Sequence, residues 1–375
     1  MTMAKSTPTV SDIHSIIESW APGQTAWEED NVGHLVGRKD APVRRLLLAL
    51  DLTEEIVAEA RRARVQLIVT HHPVIFHPVS SVTDYDRTGR LLLQLIEEGI
   101  SVVSAHTNLD FARHGVSESL ALILGLGSIR ILHAGEGKLE KVVVFVPKSH
   151  ADVVADAMAK AGAGSLGEYD DCSFRVEGTG TFTPSSHANP YIGRAGEMER
   201  VQEVRIEMIL PSWKRGGVLA AMRSVHPYEE VAYDVYDLSN PNPYYGAGTI
   251  GTLPRPLTQD AFLRHVRRKL RAAHLRFVRG RTALIERVAV CGGAGSDLVG
   301  EAVRQHADAL VTADVKYHTF LDAEGCLTLV DAGHFETESV AISPLARRLK
   351  EELRRQGWFV SVQLSKYMKN PVQWL

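Results

Sequence analysis

Residues 101–110, SVVSAHTNLD, and residues 327–338, LTLVDAGHFETE, follow one pattern near opposite ends of the chain. In each, an apolar run typical of a buried strand is followed by a histidine and, four residues later, by an acidic residue. Such a pair lies on one face of a helical segment, and imidazole and carboxylate are common metal ligands. Each pair alone would more often be a simple contact on a helix surface. The pairs are His106 with Asp110 and His334 with Glu338.

Strand-like and helix-like segments alternate around both stretches. Apolar strand patterns at residues 43–50 and 65–70 precede the first stretch, with an amphipathic helix pattern at 87–98, and strand patterns at 287–290 and 309–312 precede the second. This alternation is typical of α/β proteins and predicts a buried parallel or mixed sheet. We interpret the two portions as an internal pseudo-repeat whose halves meet at a shared site; chance similarity is the alternative.

Two adjacent histidines, His71 and His72, end the strand pattern at residues 65–70 and are followed by Pro73. Open α/β sheets place ligand sites at the carboxyl ends of their strands, although an isolated His-His pair more often has a structural or surface role. All three clusters together hold more ligands than one tetrahedral ion needs. Two divalent ions roughly 3.5–4 Å apart, joined by a bridging carboxylate, would use them. Mixed nitrogen and oxygen ligands suit Zn, Fe, Mn, Co or Ni.

The middle of the chain has a different pattern. Its predicted elements follow the order β-α-β-β-α-β of the ferredoxin-like plan: residues 141–147, 151–161, 173–183, 201–210, 217–224 and 231–238. Predicted loops at 133–137 and 239–256 flank it. We therefore expect an inserted α+β domain at 137–245, between the halves of a metal-binding core at 1–136 and 246–375.

The composition excludes several classes of protein. The 375 residues carry 42 basic and 45 acidic side chains, a formal charge of −3, so no basic surface for nucleic acid is predicted. No apolar run approaches the roughly 20 residues that span a bilayer, and the first residues do not resemble a secretion signal. The three cysteines form no C-x-x-C pair. We expect a reduced, cytoplasmic protein that binds no membrane.

Five segments give the chain a specific resemblance to the GTP cyclohydrolase I type 2 homologs, also called Nif-three-like proteins, a family of dinuclear-metal, toroidal hexamers. The segments cover both terminal portions: residues 27–37 (WEEDNVGHLVG), 70–76 (THHPVIF), 104–110 (SAHTNLD), 314–318 (DVKYH) and 331–338 (DAGHFETE). The first segment departs from the family pattern by one extra acidic residue, which leaves Asp30 and Asn31 as the equivalents of the family's Asp-Asn.

The resemblance implies a fold and a ligand set. The core would be two intertwined α/β repeats with mixed sheets, and six subunits would form a ring. The implied metal ligands are His71, His72, Asp110, His334 and Glu338. Glu338 would bridge the two ions, and His106 would be a further ligand or a proton shuttle. The insert resembles the PII-like or CutA-like domain of longer members, recognisable by residues 226–230 (HPYEE).

Two functions follow as hypotheses. The first is a metal-dependent hydrolase acting on a nucleotide or related small molecule, in which His106 or His318 moves protons. The family name suggests GTP ring opening, and a phosphoesterase is equally compatible with two metals. The second is a non-enzymatic, metal-dependent regulatory scaffold whose PII-like insert senses a ligand.

Three further motifs are open to two interpretations each. Lys316 and His318 could contact substrate or simply pack at a strand end. Residues 292–296 (GGAGS) could cradle a phosphate, but a plain strand-to-helix turn is favoured. For HPYEE, a structural or interface role is favoured over ligand binding.

Overall fold

The computed structural model describes residues 7–135 and 139–373. The chain divides into two compact units, which are named here the core unit (Met1–Ala134 and Tyr244–Leu375) and the inserted unit (Gly135–Pro243). The sequence predicts a loop at 133–137, but residues 133–135 belong to a strand. Residues 136 and 137, between which the first domain boundary is predicted, lie outside the described residues. The core unit is thus built from two separate parts of the sequence.

The first part of the core unit alternates strands and helices, as the sequence predicts for residues 43–110. Its elements are α1 (Val10–Trp20), β1 (Gly33–Val36), β2 (Arg45–Ala49), α2 (Glu54–Arg62), β3 (Leu67–Thr70), α3 (Arg87–Glu97), β4 (Ser101–Ser104), α4 (Thr107–Phe111), α5 (Val116–Leu124) and β5 (Gly127–Gly135). Side-chain caps fix where helices begin: Thr53 accepts from the backbone N–H of Ile56, and Asp86 from that of Gly89.

The inserted unit has the predicted order of elements: β6 (Leu139–Pro147), α6 (Ala151–Lys160), β7 (Phe174–Phe182), β8 (Glu199–Pro211), α7 (Arg215–Val225) and β9 (Tyr233–Leu238). Its four strands form an antiparallel sheet in the order β7-β8-β6-β9. Alternate residues of β6, such as Val142 and Val144, are buried against Met158 of α6 and Met222 of α7. Val143 between them is also fully buried, so this strand is covered on both faces.

The second part of the core unit contains β10 (Asn242–Thr258), α8 (Gln259–Leu270), β11 (Arg276–Val278), β12 (Leu284–Ala294), α9 (Val299–Arg304), β13 (Ala309–Ala313), α10 (Tyr317–Ala323), β14 (Thr328–Asp331), α11 (His334–Glu338), α12 (Ile342–Arg355) and β15 (Ser361–Leu364). Helix α12 is strongly amphipathic, with Leu345 and Leu349 buried and its basic and acidic residues largely on the opposite face.

Two mixed sheets form the core unit and share one arrangement of strands. The first has the order β1-β4-β3-β2-β15 and the second β11-β14-β13-β12-β10-β5. The first sheet has four parallel strands, β4-β3-β2-β15, and the second has three, β14-β13-β12. In each sheet an antiparallel strand borders this run, β1 beside β4 and β11 beside β14. Strand β15 comes from the second part of the chain and lies in the first sheet, whereas β5 comes from the first part and lies in the second sheet. Each sheet therefore includes a strand from the other part of the chain.

Helices cover both faces of the first sheet. Ile13 and Leu349 pack on one face, and Ile56 and Leu95 on the other, so the residues of β3 and β4 are buried throughout. Each fully buried aliphatic side chain of this kind stabilises the fold by about 1.5–3 kcal/mol relative to exposure. The carboxyl ends of β3 and β4 are consequently held by a rigid support.

Two predicted loops are strands. Residues 242–256 of the predicted loop belong to β10, which pairs with β12. The pairing is irregular between Thr252 and Leu257, where Pro254 and Pro256 lack the N–H that a regular ladder needs. The predicted turn at 292–296 is also partly wrong, because β12 continues through Ala294.

None of the helices in the described part of the chain is long and apolar enough to cross a membrane.

Candidate metal centre

The histidines and carboxylates predicted as ligands all follow strands of the core unit. His71 and His72 come directly after β3, and His106 is the residue that precedes α4 after β4. Asp110 lies within α4, and His334 and Glu338 are the first and last residues of α11, which follows β14. Two strands of the first sheet and one strand of the second thus deliver these six side chains.

The structure brings all six side chains into one cluster. Two groups of residues have ligand atoms within 4.8 Å of one another: His71, His72 and His106, and His72, His334 and Glu338. Asp110 joins them, since its Oδ1 is 3.6 Å from Nε2 of His71. His72 belongs to both groups.

Glu338 lies between the two groups. Its Oε1 is 3.7 Å from Nε2 of His71, and its Oε2 is 3.0 Å from Nε2 of His72 and also 3.0 Å from Nε2 of His334. The Nε2 atoms of His72 and His334 are 3.3 Å apart. The Glu338 side chain is only 3% exposed, so its charge is balanced by these rings rather than by water.

Each of the four imidazole rings is held at Nδ1 by an acceptor outside the cluster. The Nδ1 of His71 donates to the carbonyl oxygen of Ala105 at 2.8 Å. The other three donate to carboxylates: His72 to Asp51 at 2.8 Å, His106 to Asp30 at 2.8 Å and His334 to Asp314 at 2.6 Å. A hydrogen bond of this kind fixes the tautomer that presents Nε2 as a ligand, as in histidine-metal sites.

A metal ion fits this set of residues. In the described part of the chain, Nε2 of His71 and Oδ1 of Asp110 are buried and have no hydrogen-bond partner, although they face each other across 3.6 Å. Buried polar atoms without partners are costly unless something else binds them. The unpartnered atoms together with the orientation of the rings match what divalent ions with nitrogen and oxygen ligands require.

The charges of the cluster shift the pKa values of its members in the metal-free state. Burial disfavours the charged form of His72, but Asp51 and Glu338 outweigh it and raise the pKa of His72 to about 10. His334 is affected in the same way, with its pKa raised to about 9 by Glu338 and Asp314 against the effect of burial. Burial opposes ionisation of Glu338 as well, yet the surrounding histidines hold its pKa well below the usual range.

The side chains of Asp110 and His71 are both buried at the centre of the cluster, and the pKa of each is raised. Burial, followed by the charge of Glu338, raises the pKa of Asp110 to about 6, although His71 opposes this. Burial lowers the pKa of His71, but Asp110 and Glu338 reverse the effect and raise it. Protons therefore occupy the centre when metal does not, as expected for a site in which cations and protons compete.

Gly293 gives the carboxylate of Glu338 its space. This residue has a positive φ of 62°, and a Cβ placed on it would lie 2.2 Å from Oε1 of Glu338 and 3.3 Å from Cε1 of His334. The Gly293 backbone is held by Thr337, whose Oγ1 accepts from its N–H at 3.0 Å. The strand at Gly292–Ala294 is thus part of the wall of the centre, a role that the sequence pattern did not predict.

Asp331 fixes the loops on the α11 side. Its Oδ2 accepts from the N–H of Val315 at 3.1 Å and from Arg276, and its Oδ1 accepts from the N–H of Gly333 at 3.1 Å. These bonds hold the segment next to Asp314, the acceptor for His334.

Three carboxylates of the site were absent from the predicted ligands and catalytic residues: Asp30, Asp51 and Asp314. Asp51 and Asp314 follow the carboxyl ends of β2 and β13, so the same strand-end reasoning could have identified them. Asp30 lies in the WEEDN segment and also accepts from the N–H of Thr107 at 3.1 Å. The predicted catalytic residue His318 is exposed on α10, where its ring contacts Tyr317, and it is not part of the cluster.

A cavity of about 700 Å³ is lined by two neighbours of the cluster, although none of the six clustered side chains is among its described lining residues. Asp51, which holds His72, and Phe335, the neighbour of His334, both contribute to its wall. Its other walls carry charges of both signs and an aromatic ring: Glu54, Glu55, Arg87, Arg90, Tyr367 and Lys369.

Comparisons with known proteins agree with this arrangement. Residues 8–371 match the family model Duf34/NIF3 (NGG1p interacting factor 3). The chain is 38% identical over 359 residues to the GTP cyclohydrolase 1 type 2 homolog of Halalkalibacterium halodurans, covering 95% of this chain and 96% of the relative. It is 36% identical over 365 residues to that of Bacillus subtilis, covering 97% and 98%. A crystal structure of a Bacillus cereus protein related to NIF3 superimposes with a TM-score of 0.88 at 38% identity, over 99% of this chain and 100% of that one. The chain belongs to the Duf34/NIF3 family.

Proposed function

We propose that this protein is a dinuclear, divalent-metal-dependent hydrolase that acts on a nucleotide or a related small molecule. The observation that carries the proposal is the cluster of four histidine rings and two carboxylates. Each ring donates a hydrogen bond from Nδ1 to its own acceptor, which leaves Nε2 directed into the cluster. One tetrahedral ion would leave several of these groups unused, whereas two ions would use most of them.

The proposed ligands are His71, His72, Asp110, His334 and Glu338. Glu338 is the proposed bridge, since its Oε1 faces His71 and its Oε2 faces His72 and His334. When bound, Zn, Fe, Mn, Co or Ni ions would act as Lewis acids and lower the pKa of water in the site.

His106 is the proposed proton carrier. Its Nδ1 donates to Asp30, and its ring lies 5.2 Å from the ring of His71 and 5.4 Å from that of His72. The side chain is 19% exposed, so the ring can exchange protons with solvent while Asp30 keeps its orientation. His318 is proposed as a second proton carrier, and the kinetics of a His318→Gln variant test that role independently.

The cavity lined by Asp51 and Phe335 is the proposed substrate site. Its volume of about 700 Å³ is within the range for small-molecule sites. Tyr367 and Phe335 offer surfaces for a planar base, and Arg87 offers positive charge for phosphate. Arg90 and Lys369 are paired with Glu54 at 3.1 Å and Glu55 at 3.2 Å, so they would bind phosphate only by exchanging these partners. The name of the relatives, GTP cyclohydrolase 1 type 2 homolog, also supports a nucleotide.

The test is turnover by metal-loaded protein. The purified chain is loaded with each candidate metal and incubated with GTP and with a panel of phosphoesters, and formate, ring-opened product and free phosphate are measured. We expect metal-dependent product that falls at least about 100-fold in a His71→Ala variant. If no substrate gives product above the His71→Ala background, the hydrolase proposal fails.

We also propose that the chain assembles as a homohexameric ring. The family resemblance supports this assembly. Analytical ultracentrifugation at micromolar concentration tests it, and a monomer would contradict it.

A cytoplasmic location is proposed as well. The three free cysteines are compatible with a reducing compartment. Cell fractionation tests the location, and recovery outside the cytoplasm would contradict it.

The second candidate is a metal-dependent, ligand-sensing scaffold without turnover. The observation that favours it is a separate cavity of about 520 Å³ within the inserted unit. We propose that this unit has the ferredoxin-like plan of PII-like and CutA-like domains, supported by its β-α-β-β-α-β order and antiparallel sheet. The absence of turnover, combined with ligand binding to this unit, would favour the second candidate over the first.

A further inference from the structure

The cavity of the inserted unit is built around the HPYEE segment. One wall is the end of β7, residues 180–182, and the loop that follows it; another is Glu203 of β8; a third is the stretch from Tyr228 to Ala232. The volume of about 520 Å³ is enough for a small organic molecule. All of these residues belong to the inserted unit, so the cavity shares no residue with the metal centre.

Three aromatic rings form a concave surface in this cavity. The ring of Tyr228 lies centrally, with its centroid 5.8 Å from that of Phe182 and 6.4 Å from that of Tyr191. The planes meet at 63° and 51°, so the rings form a curved wall rather than a flat stack. Tyr191 is 56% exposed, which leaves part of this aromatic surface open to a ligand.

The polar groups of the cavity are strongly biased toward negative charge. Glu203, Glu229 and Glu230 line it, and none of the described residues that line it is lysine, arginine or histidine. Glu203 lies against the backbone of Gly180, where a Cβ would come within 2.0 Å of its Oε2. Tyr228 Oη donates to Oε1 of the same carboxylate at 2.9 Å, which fixes the charge beside the ring.

His226 and the loop make this arrangement rigid. The His226 ring is buried and accepts at Nδ1 from the N–H of Tyr228 at 3.1 Å, and its Nε2 donates to the carbonyl of Phe145 at 3.1 Å. Burial lowers the pKa of His226, which favours the neutral ring that these two bonds need. The loop is tied down where Glu229 Oε1 accepts from the N–H of Asn189 at 2.9 Å. A preformed site loses little conformational entropy on binding.

We propose that this cavity binds a small organic cation of the alkylammonium class. The faces of aromatic rings carry partial negative charge and attract such cations, and an adjacent carboxylate adds a full charge. An anion would meet three carboxylates and no balancing cation. A neutral planar base would leave the carboxylates unused. The proposal deepens the second candidate function and does not depend on hydrolysis at the metal centre.

The test compares a cation with its uncharged isostere. The metal-loaded, full-length chain is titrated by calorimetry with choline, tetramethylammonium and spermidine, and with 3,3-dimethylbutan-1-ol, which has the shape of choline without its charge. We expect at least one cation to bind saturably, and choline to bind at least about 10-fold more tightly than the alcohol. Addition of salt should weaken the binding, since the charges are partly exposed.

Matched variants locate the site. Glu203→Gln keeps an acceptor for Tyr228 but removes the charge, and Tyr191→Leu removes a half-exposed ring. Each should weaken cation binding about 5- to 30-fold. Tyr236→Leu is the control, because Tyr236 is 49% exposed on β9 and does not line the cavity; it should leave binding unchanged. Metal content should be the same in all four proteins.

Several results would overturn the proposal. They are the failure of all three cations to bind, equal binding of choline and the alcohol, and unchanged binding in both Glu203→Gln and Tyr191→Leu. Adenosine is titrated in parallel, and its binding in place of the cations would assign the cavity to planar bases instead. Loss of hydrolytic activity at the metal centre has no bearing on these outcomes, so the two proposals fail separately.

Discussion

The substitution Gly293→Ala tests the packing of the metal centre with a single methyl group. Gly293 has a φ of 62°, in the left-handed region, and an added Cβ would lie 2.2 Å from Oε1 of Glu338. That oxygen would have to retreat to at least 3.0 Å, the shortest distance real Cβ atoms keep. The carboxylate is the end of a flexible side chain, so the fold can accommodate the change by turning it away from the cluster.

Two effects of different size follow. The strain of a left-handed alanine lowers the free energy of unfolding by about 1–2 kcal/mol. The displaced carboxylate no longer faces the histidines, so metal affinity should fall at least about 10- to 100-fold. Metal affinity is measured by competition with a chromophoric chelator, and stability by urea unfolding of the metal-free protein.

Two other glycines separate these effects. Gly325 has a φ of 71° and open space around its Cβ position, so Gly325→Ala carries the strain without the clash. Gly300 lies in α9 with no nearby atoms and no positive φ, so Gly300→Ala should be neutral or slightly stabilising. Both should bind metal like the unmodified chain. A folded Gly293→Ala protein with unchanged metal affinity would refute the assignment of Glu338 to the metal centre.

Three further predictions concern the carboxylates and protons of the site. Because the pKa values of His72 and His334 are raised to about 10 and about 9, both rings are protonated in the metal-free protein at pH 7. Metal binding should therefore release protons and tighten as pH rises from 6 to 9; calorimetry that gives the same enthalpy in buffers of different ionisation enthalpy would contradict this. The pKa of Asp30 is lowered to about 2 against the effect of burial, chiefly by His106, so its carboxylate stabilises the fold above pH 3.8 and loses this effect as pH falls through 2. Asp30→Asn should cost about 1–2 kcal/mol in urea unfolding at pH 7 and little at pH 2, and an equal cost at both would contradict the assignment. Asp51→Asn should weaken metal binding about 10- to 100-fold with little change in stability, and unchanged affinity would show that the acceptor behind His72 is dispensable.

Strand positions in the core could be predicted from the sequence because buried parallel strands are short, continuous apolar runs. The pattern at residues 309–312 corresponds to β13 at Ala309–Ala313, and that at 65–70 to β3 at Leu67–Thr70. The helix predicted at 87–98 is α3, which ends before Gly99 with its positive φ of 64°. Since ligands lie at the ends of these strands, the meeting of the three clusters could be anticipated as well.

The family resemblance implied intertwined repeats, but the local sequence pattern could not predict that β5 and β15 are the exchanged strands. Pairing between distant segments depends on hydrogen bonds that local periodicity does not encode. The strand β10 was missed for another reason: its glycines and prolines are typical of loops, and only its pairing with β12 stabilises it as a strand.

The acceptors behind the histidines show the limit of motif reasoning. Their positions after strands could have marked Asp51 and Asp314 as members of the site, but only the fold shows which histidine each one accepts from, at 2.8 and 2.6 Å. Asp314 has a positive φ of 52°, a conformation that aspartate tolerates better than most residues. No local sequence pattern indicates these hydrogen bonds or this backbone conformation. The catalytic role of His318 stays a prediction.

Metal stoichiometry tests the central claim most directly. The purified chain and its Glu338→Ala variant are saturated with zinc or manganese, freed of unbound metal by gel filtration, and measured by elemental analysis against protein concentration. Two ions per chain are expected, with the loss of at least one in Glu338→Ala, because this carboxylate faces both groups of histidines. One ion or fewer in the unmodified chain, or two retained in Glu338→Ala, would contradict the account.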